Sequence, residues 1–264
     1  MLDVSRDKVP RLSTLFTLIE QLAEWKINHV QLYTEHTFAY RNHRQVWAKA
    51  SPMTHEEIRR LDTYCRERFI ELVPHQQSFG HLARWLKLPR YRNLAEDPKT
   101  PFGLCPTDPK SLALLKELYA EFLPCFTSRK FNVACDEVDL GARRSKEACE
   151  RRGKGRVYLD FLLKVHRLVK RHGHTMHFWA DVILQHPELL PEIPRDVVAL
   201  IWDYEADAPF HRDCGKLAKA GIPFYVCPGT SSWNNLVGRT DNCLANLRLA
   251  ALCGLKHGAI GYLN

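Results

Sequence analysis

The chain has 264 residues, enough for one sizeable core and a usual size for a single α/β barrel. Hydrophobic residues make up 45% and charged residues 26%, an ordinary globular balance that excludes a disordered or fibrous chain, and no apolar run approaches the length of a membrane span. The net charge of +8 is spread over small clusters such as Arg143-Arg144, Arg151-Arg152 and Lys170-Arg171 without a nucleic-acid motif, so we read it as a solvated basic surface.

The first strand is predicted over Met1–Val4, with no apolar leader before it, so a cytoplasmic protein is expected. Leu15, Leu18, Ile19 and Leu22 then recur at helical spacing and predict an amphipathic helix from Leu12 to Trp25. The second strand is His29–Tyr33. Thr54 followed by Glu57 has the form of a capping box that opens the next helix. The third strand is Phe69–Pro74, and a long proline-containing connection runs from Leu86 to Pro109. Ser111–Phe122 reads as a helix, Phe131–Cys135 as the fourth strand and Val157–Lys170 as a helix. The fifth strand is Thr175–Trp179, followed by a proline-punctuated stretch, His186 to Pro194, read as a loop with one turn. Val197–Trp202, the helix Cys214–Lys219, Phe224–Cys227, the helix Asn242–Cys253 and Gly258–Tyr262 complete the chain. Eight strands alternating with helical segments, without a glycine-rich nucleotide fingerprint, predict a (β/α)8 TIM barrel forming one domain over residues 1–264. A doubly wound sheet is the alternative.

The nine cysteines include no C-x-x-C pair, which argues against structural zinc and suits reduced thiols. In a barrel, functional side chains gather at the C-terminal strand ends. There the sequence places Asp3, Ser5 and Arg6; Tyr33, Glu35 and His36; Gln76, Gln77 and His81; Asp136 and Glu137; Trp179 and Asp181; Trp202, Asp203 and Tyr204; and Tyr225 running into Trp233. Aromatic faces pack on sugar C–H surfaces, and carboxylates and Arg bind hydroxyls, so this rim suits a carbohydrate. Singly, each residue has a bland reading: a capping Asp-Glu pair, a core Trp, a structural His. Their common position carries the inference.

Six segments in register resemble glycoside hydrolase family 20, in its hexosaminidase D-like and bacterial branch: MLDVSR, QLYTEHTFAY at 31–40, QQSFGH at 76–81, NVACDEVDLG at 132–141, FWAD at 178–181 and YVCPGTSSW at 225–233. The resemblance implies an exo-acting, retaining β-N-acetylhexosaminidase in which the substrate's own acetamido oxygen attacks and an oxazolinium ion forms. It implies Glu137 as general acid/base and Asp136 as the residue that orients the acetamido group. Arg6 would hold sugar hydroxyls, and His81 with Glu35 would stand behind the acid; Glu35 occupies a position where many members carry Asp. Trp179 and Trp202 would wall the acetamide pocket. Tyr225 would bond the acetamide oxygen, although Cys227 stands where its usual Asp companion would be. No cofactor or metal is implied, and the partner is an oligosaccharide with a terminal N-acetylhexosamine. The family usually continues past the eighth strand, so a barrel truncated there is expected, and a catalytically weak or inactive carbohydrate-binding barrel is the alternative. A metal-dependent hydrolase using His36, His75 and His81 is a third reading, disfavoured by their spacing.

Overall fold

A computed structural model describes residues 1–264 apart from Asn234. The elements follow a βα order with eight strands among the described residues: β1 Leu2–Asp3, β2 His29–Tyr33, β3 Glu71–Val73, β4 Lys130–Asn132, β5 Thr175–Trp179, β6 Val197–Trp202, β7 Phe224–Cys227 and β8 Gly261–Tyr262. Contacts group them into two compact units, Met1–Met176 and His177–Asn264. No helix of the described residues is long and apolar enough to cross a membrane.

In the first unit β1, β2 and β3 form a parallel sheet, with Leu2 opposite Leu32 and Val30 opposite Leu72. A parallel bridge from His75 to Asn132 brings β4 alongside. Helix Leu12–Glu24 turns Leu15 and Ile19, one turn apart, into the core. The predicted capping box is present: the Glu57 amide donates to Thr54 Oγ1 at 3.2 Å, and the Thr54 amide donates to Glu57 Oε2 at 2.8 Å. Helix Pro109–Phe122 starts with Pro where no intrahelical N–H is needed, and Asp108 accepts the Lys110 amide at 2.8 Å. Helix Lys154–Arg171 buries Val157, Phe161, Leu162, Val165 and Leu168 along one face.

In the second unit β6, β7 and β8 are parallel, with Leu200 opposite Tyr225 and Val226 opposite Tyr262. Helices Phe210–Lys219 and Thr240–His257 belong to it, the latter ending on Gly258 in the left-handed conformation a C-terminal cap favours. The stretch after β5 holds one short helix, Asp181–Leu184, and a 3-10 segment, Pro187–Glu192.

The fourth strand ends earlier than its apolar run suggests. Ala134 and Cys135 sit at φ 61° and 70°, outside any strand conformation. The Asn132 side chain makes this turn by accepting the Ala134 amide at 2.9 Å. The strand ends at Asn132, four residues before Asp136, which puts the Asp136-Glu137 pair on a loop.

Candidate active site

Five of the expected residues, Arg6, Glu35, His81, Asp136 and Glu137, come together in the first unit, each on the connection that follows a strand. After β1, Asp3 Oδ1 accepts the Ser5 amide at 2.8 Å and the Arg6 amide at 3.2 Å, a tight turn that aims the Arg6 guanidinium. Arg6 Nη1 meets Asp3 Oδ2 at 2.9 Å, and Arg6 Nη2 donates to the Tyr33 hydroxyl at 2.8 Å. Glu35 follows β2. Its amide donates to Ser5 Oγ at 2.8 Å, and its carbonyl takes the Trp85 indole N–H at 2.8 Å and Gln76 Nε2 at 3.0 Å. Glu35 Oε1 accepts from the Tyr33 hydroxyl at 2.9 Å and lies 3.7 Å from Arg6.

His81 closes the QQSFGH loop at φ 53°. Its Nδ1 faces Arg6 Nη2 at 3.5 Å and Glu35 Oε1 at 3.9 Å. Its Nε2 lies 3.3 Å from Asp136 Oδ2 and 3.1 Å from Glu137 Oε2. Phe102, from the long connection after Leu86, packs its ring edge-on against His81 at 4.7 Å. That connection therefore does reach the candidate site.

The two adjacent carboxylates occupy different surroundings. The Asp136 side chain is 11% exposed and that of Glu137 51%. Asp136 Oδ1 accepts from Gln77 Nε2 at 2.9 Å, which leaves Oδ2 toward His81. Glu137 takes a left-handed φ of 50°. A left-handed non-glycine residue costs about 1 kcal/mol or more, so the turn needs support from outside. The Tyr158 hydroxyl supplies some by donating to the Cys135 carbonyl at 3.0 Å. Gly80 supplies more by its missing side chain: a Cβ there would stand 2.5 Å from the Asp136 carbonyl oxygen. The two loops touch backbone to backbone.

Electrostatics separates the groups. Burial by itself would raise the Asp136 carboxyl, but contact with His81 and the Gln77 N–H hold it below the ordinary aspartate value. Burial opposes protonation of His81, yet Asp136, with help from Glu35, keeps its pKa above the usual 6.5. Burial lifts Glu35 above the ordinary glutamate range, against the pull of the Tyr33 hydroxyl, Arg6 and His81. His75 differs: it is wholly buried, its Nδ1 accepts the Thr34 amide at 3.0 Å, and burial presses its pKa down to about 3. It is a neutral structural histidine. The one cluster of His, Cys, Asp and Glu donors among the described residues that could hold a metal is His81, Asp136 and Glu137; His36 and His75 are outside it.

Two residues of this network were visible as strand-end positions but not singled out as site residues, Tyr33 and Gln77. The Tyr33 hydroxyl accepts from Arg6 and from Gln77 Nε2, at 3.0 Å, and donates to Glu35. It joins the Arg6–Glu35 pair to the support of Asp136.

Trp179, Trp202 and Tyr225 lie in the second unit. Trp179 and Tyr225 are buried and Trp202 half-buried. The indole N–H groups of Trp179 and Trp202 are shut off from solvent without a hydrogen-bond acceptor among the described residues. Trp202 stacks on Tyr204 with centroids 5.3 Å apart, and Tyr204 meets Trp233 edge-on at 4.7 Å. Tyr225 packs its ring against His177 at 5.3 Å.

Residues 1–235 match the model of the glycosyl hydrolase family 20 catalytic domain. The chain is 27% identical to hexosaminidase D of Bos taurus over 214 residues, covering 77% of this chain and 61% of that protein. Against hexosaminidase D of Homo sapiens the identity is 28% over 214 residues, covering 77% of this chain and 43% of the relative. This chain thus spans about half the length of these relatives. The solved β-N-acetylhexosaminidase of Bacteroides fragilis superposes with a TM-score of 0.75 at 18% identity, over 93% of this chain and 54% of that one, a likeness of fold.

Proposed function

The chain belongs to glycosyl hydrolase family 20, and on that premise we propose that it is a β-N-acetylhexosaminidase that removes terminal β-linked N-acetylglucosamine or N-acetylgalactosamine with retention of configuration. The observation that carries the reading is the placement of one histidine nitrogen within 3.3 Å of two neighbouring carboxylates, one buried and one open to solvent. In this proposal the acetamido oxygen of the substrate attacks the anomeric carbon while Glu137 gives its proton to the departing glycosidic oxygen. The bond to the aglycone breaks as the oxazolinium ring closes. Glu137 then takes a proton from the water that opens the ring. Asp136 stays ionised and steadies the positive charge on the acetamido nitrogen; its depressed pKa and the Gln77 bond support that role. Arg6 holds sugar hydroxyls, and Glu35 with His81 sets the orientation of the two carboxylates. Trp179, Trp202 and Tyr225 form the acetamide pocket, a role the unsatisfied indole N–H groups support.

The reading treats residues 1–264 as one catalytic (β/α)8 domain, which the alternating order of strands and helices supports. Its expected setting is a reducing compartment such as the cytoplasm, a reading that the nine free thiols support. The test compares 4-nitrophenyl β-glycosides of N-acetylglucosamine and of glucose. Release from the acetamido sugar alone, abolished in Glu137→Gln, is expected. Equal release from both sugars would remove the substrate-assisted mechanism.

A further inference from the structure

The donor arrangement around His81 also fits a cation. Four-coordinate zinc binds imidazole nitrogen and carboxylate oxygen at about 2.0–2.1 Å, which puts neighbouring donors about 3.3 Å apart along the edge of a tetrahedron. His81 Nε2 stands 3.3 Å from Asp136 Oδ2 and 3.1 Å from Glu137 Oε2, two such edges, and all three donors lie within 4.8 Å of one another. His81 Nε2 is shut off from solvent, and its neighbours are the two carboxylate oxygens with which it pairs when the ring is protonated and which an ion would hold in the proton's place. The outer contacts fit as well. Gln77 occupies Asp136 Oδ1 and leaves Oδ2 inward. Behind His81, Nδ1 faces Arg6 Nη2 at 3.5 Å and the Glu35 carboxylate at 3.9 Å; a proton on Nδ1 turned toward Glu35 is what would free Nε2 for an ion.

We propose that His81 Nε2, Asp136 Oδ2 and Glu137 Oε2 form an inhibitory site for a borderline divalent ion of the zinc, cobalt or copper class, which ties up both carboxylates that the hydrolase reading needs. The mixed nitrogen and oxygen donors select against magnesium and calcium, which favour all-oxygen shells. The inhibitory consequence rests on the proposed hydrolase function; the binding does not.

The test is a titration of the chelator-treated full chain with Co2+, followed by its visible d–d absorption, and with Zn2+ by calorimetry. Hydrolysis of the acetamido glycoside is followed in parallel. One tightly bound ion per chain is expected, with a four- or five-coordinate cobalt spectrum and loss of activity that EDTA reverses and Mg2+ does not imitate. His81→Gln weakens binding at least about tenfold, and Glu137→Gln, which changes an exposed side chain, does the same without threatening the fold. The exposed His211–His257 pair, 2.8 Å apart, is the competing surface site. Binding lost in His257→Asn but kept in both site variants would overturn the proposal, as would no saturable cobalt signal. A cobalt signal lost in the site variants of a chain without hydrolase activity would sustain the metal site while removing the hydrolase reading.

Discussion

Replacing Tyr33 with Phe removes one oxygen and keeps the ring, which packs on His75 at 4.7 Å and lies under the Arg6 guanidinium at 4.5 Å. Three hydrogen bonds go with that oxygen. The bond to the Glu35 carboxylate is charge-assisted and largely buried, and contributes about 1.5–3 kcal/mol. The bond from Gln77 contributes about 1 kcal/mol, partly retained because the same amide still donates to Asp136. The Arg6 side chain is 54% exposed, so solvent screening holds its share below about 1 kcal/mol. The expected cost is about 2–4 kcal/mol, a melting midpoint lowered by roughly 5–10 °C. Because Arg6 and Glu35 lose the hydroxyl that spaces them, kcat/KM for the acetamido glycoside should fall by about tenfold to a hundredfold. The Tyr33 bond pulls the Glu35 pKa down, so its loss moves Glu35 further up and shifts the acid limb of the pH profile to higher pH. Thermal melts and a pH series of kcat/KM read all three effects. A variant that melts, turns over and titrates like the parent would refute the view that Tyr33 joins the two halves of the network.

Gly80→Ala puts a Cβ 2.5 Å from the Asp136 carbonyl oxygen, so one backbone loop must move; we expect a loss of about 1–3 kcal/mol in chemical denaturation and a larger fall in kcat than in substrate binding, and parental kcat would count against this contact. Trp202→Ala should raise KM for the acetamido glycoside more than it lowers kcat, whereas an unchanged KM would place Trp202 outside the pocket. Stability should also follow pH through His81. Its folded pKa lies above the ordinary 6.5, so its contribution is complete below that pH and is lost as pH rises through the folded value. The stability gap between the parent and His81→Gln should therefore narrow from pH 6 to pH 9, and a gap constant across that range would deny the His81–Asp136 contact its charge. Asp136 works in the opposite direction, its share being lost only as pH falls through a depressed carboxyl pKa.

Where local pattern and tertiary setting agree, the chain could be read directly. His29–Tyr33, Thr175–Trp179, Val197–Trp202 and Phe224–Cys227 have the bounds their apolar runs suggest, because buried parallel strands need a continuous apolar stretch and little else. The Thr54–Glu57 cap was legible because its chemistry is contained in four residues. Phe131–Cys135 looked like the other strands. What ends β4 early is the Asn132 side chain bonding to the Ala134 amide, an event that hydrophobic periodicity does not register. The same distinction divides the site. Arg6, Glu35, His81, Asp136 and Glu137 could be picked out because they gather on the connections that follow successive strands and fall within the segments that resemble the family. Tyr33 could not be, since a strand-end tyrosine has the same pattern as a core aromatic. Only the position of its hydroxyl, between Arg6, Gln77 and Glu35, separates the two. Gly80 is the extreme case, because its part is to lack a side chain where another backbone passes. Residues that act through their own charge are thus visible in the sequence, while residues that act by spacing others become visible only in three dimensions.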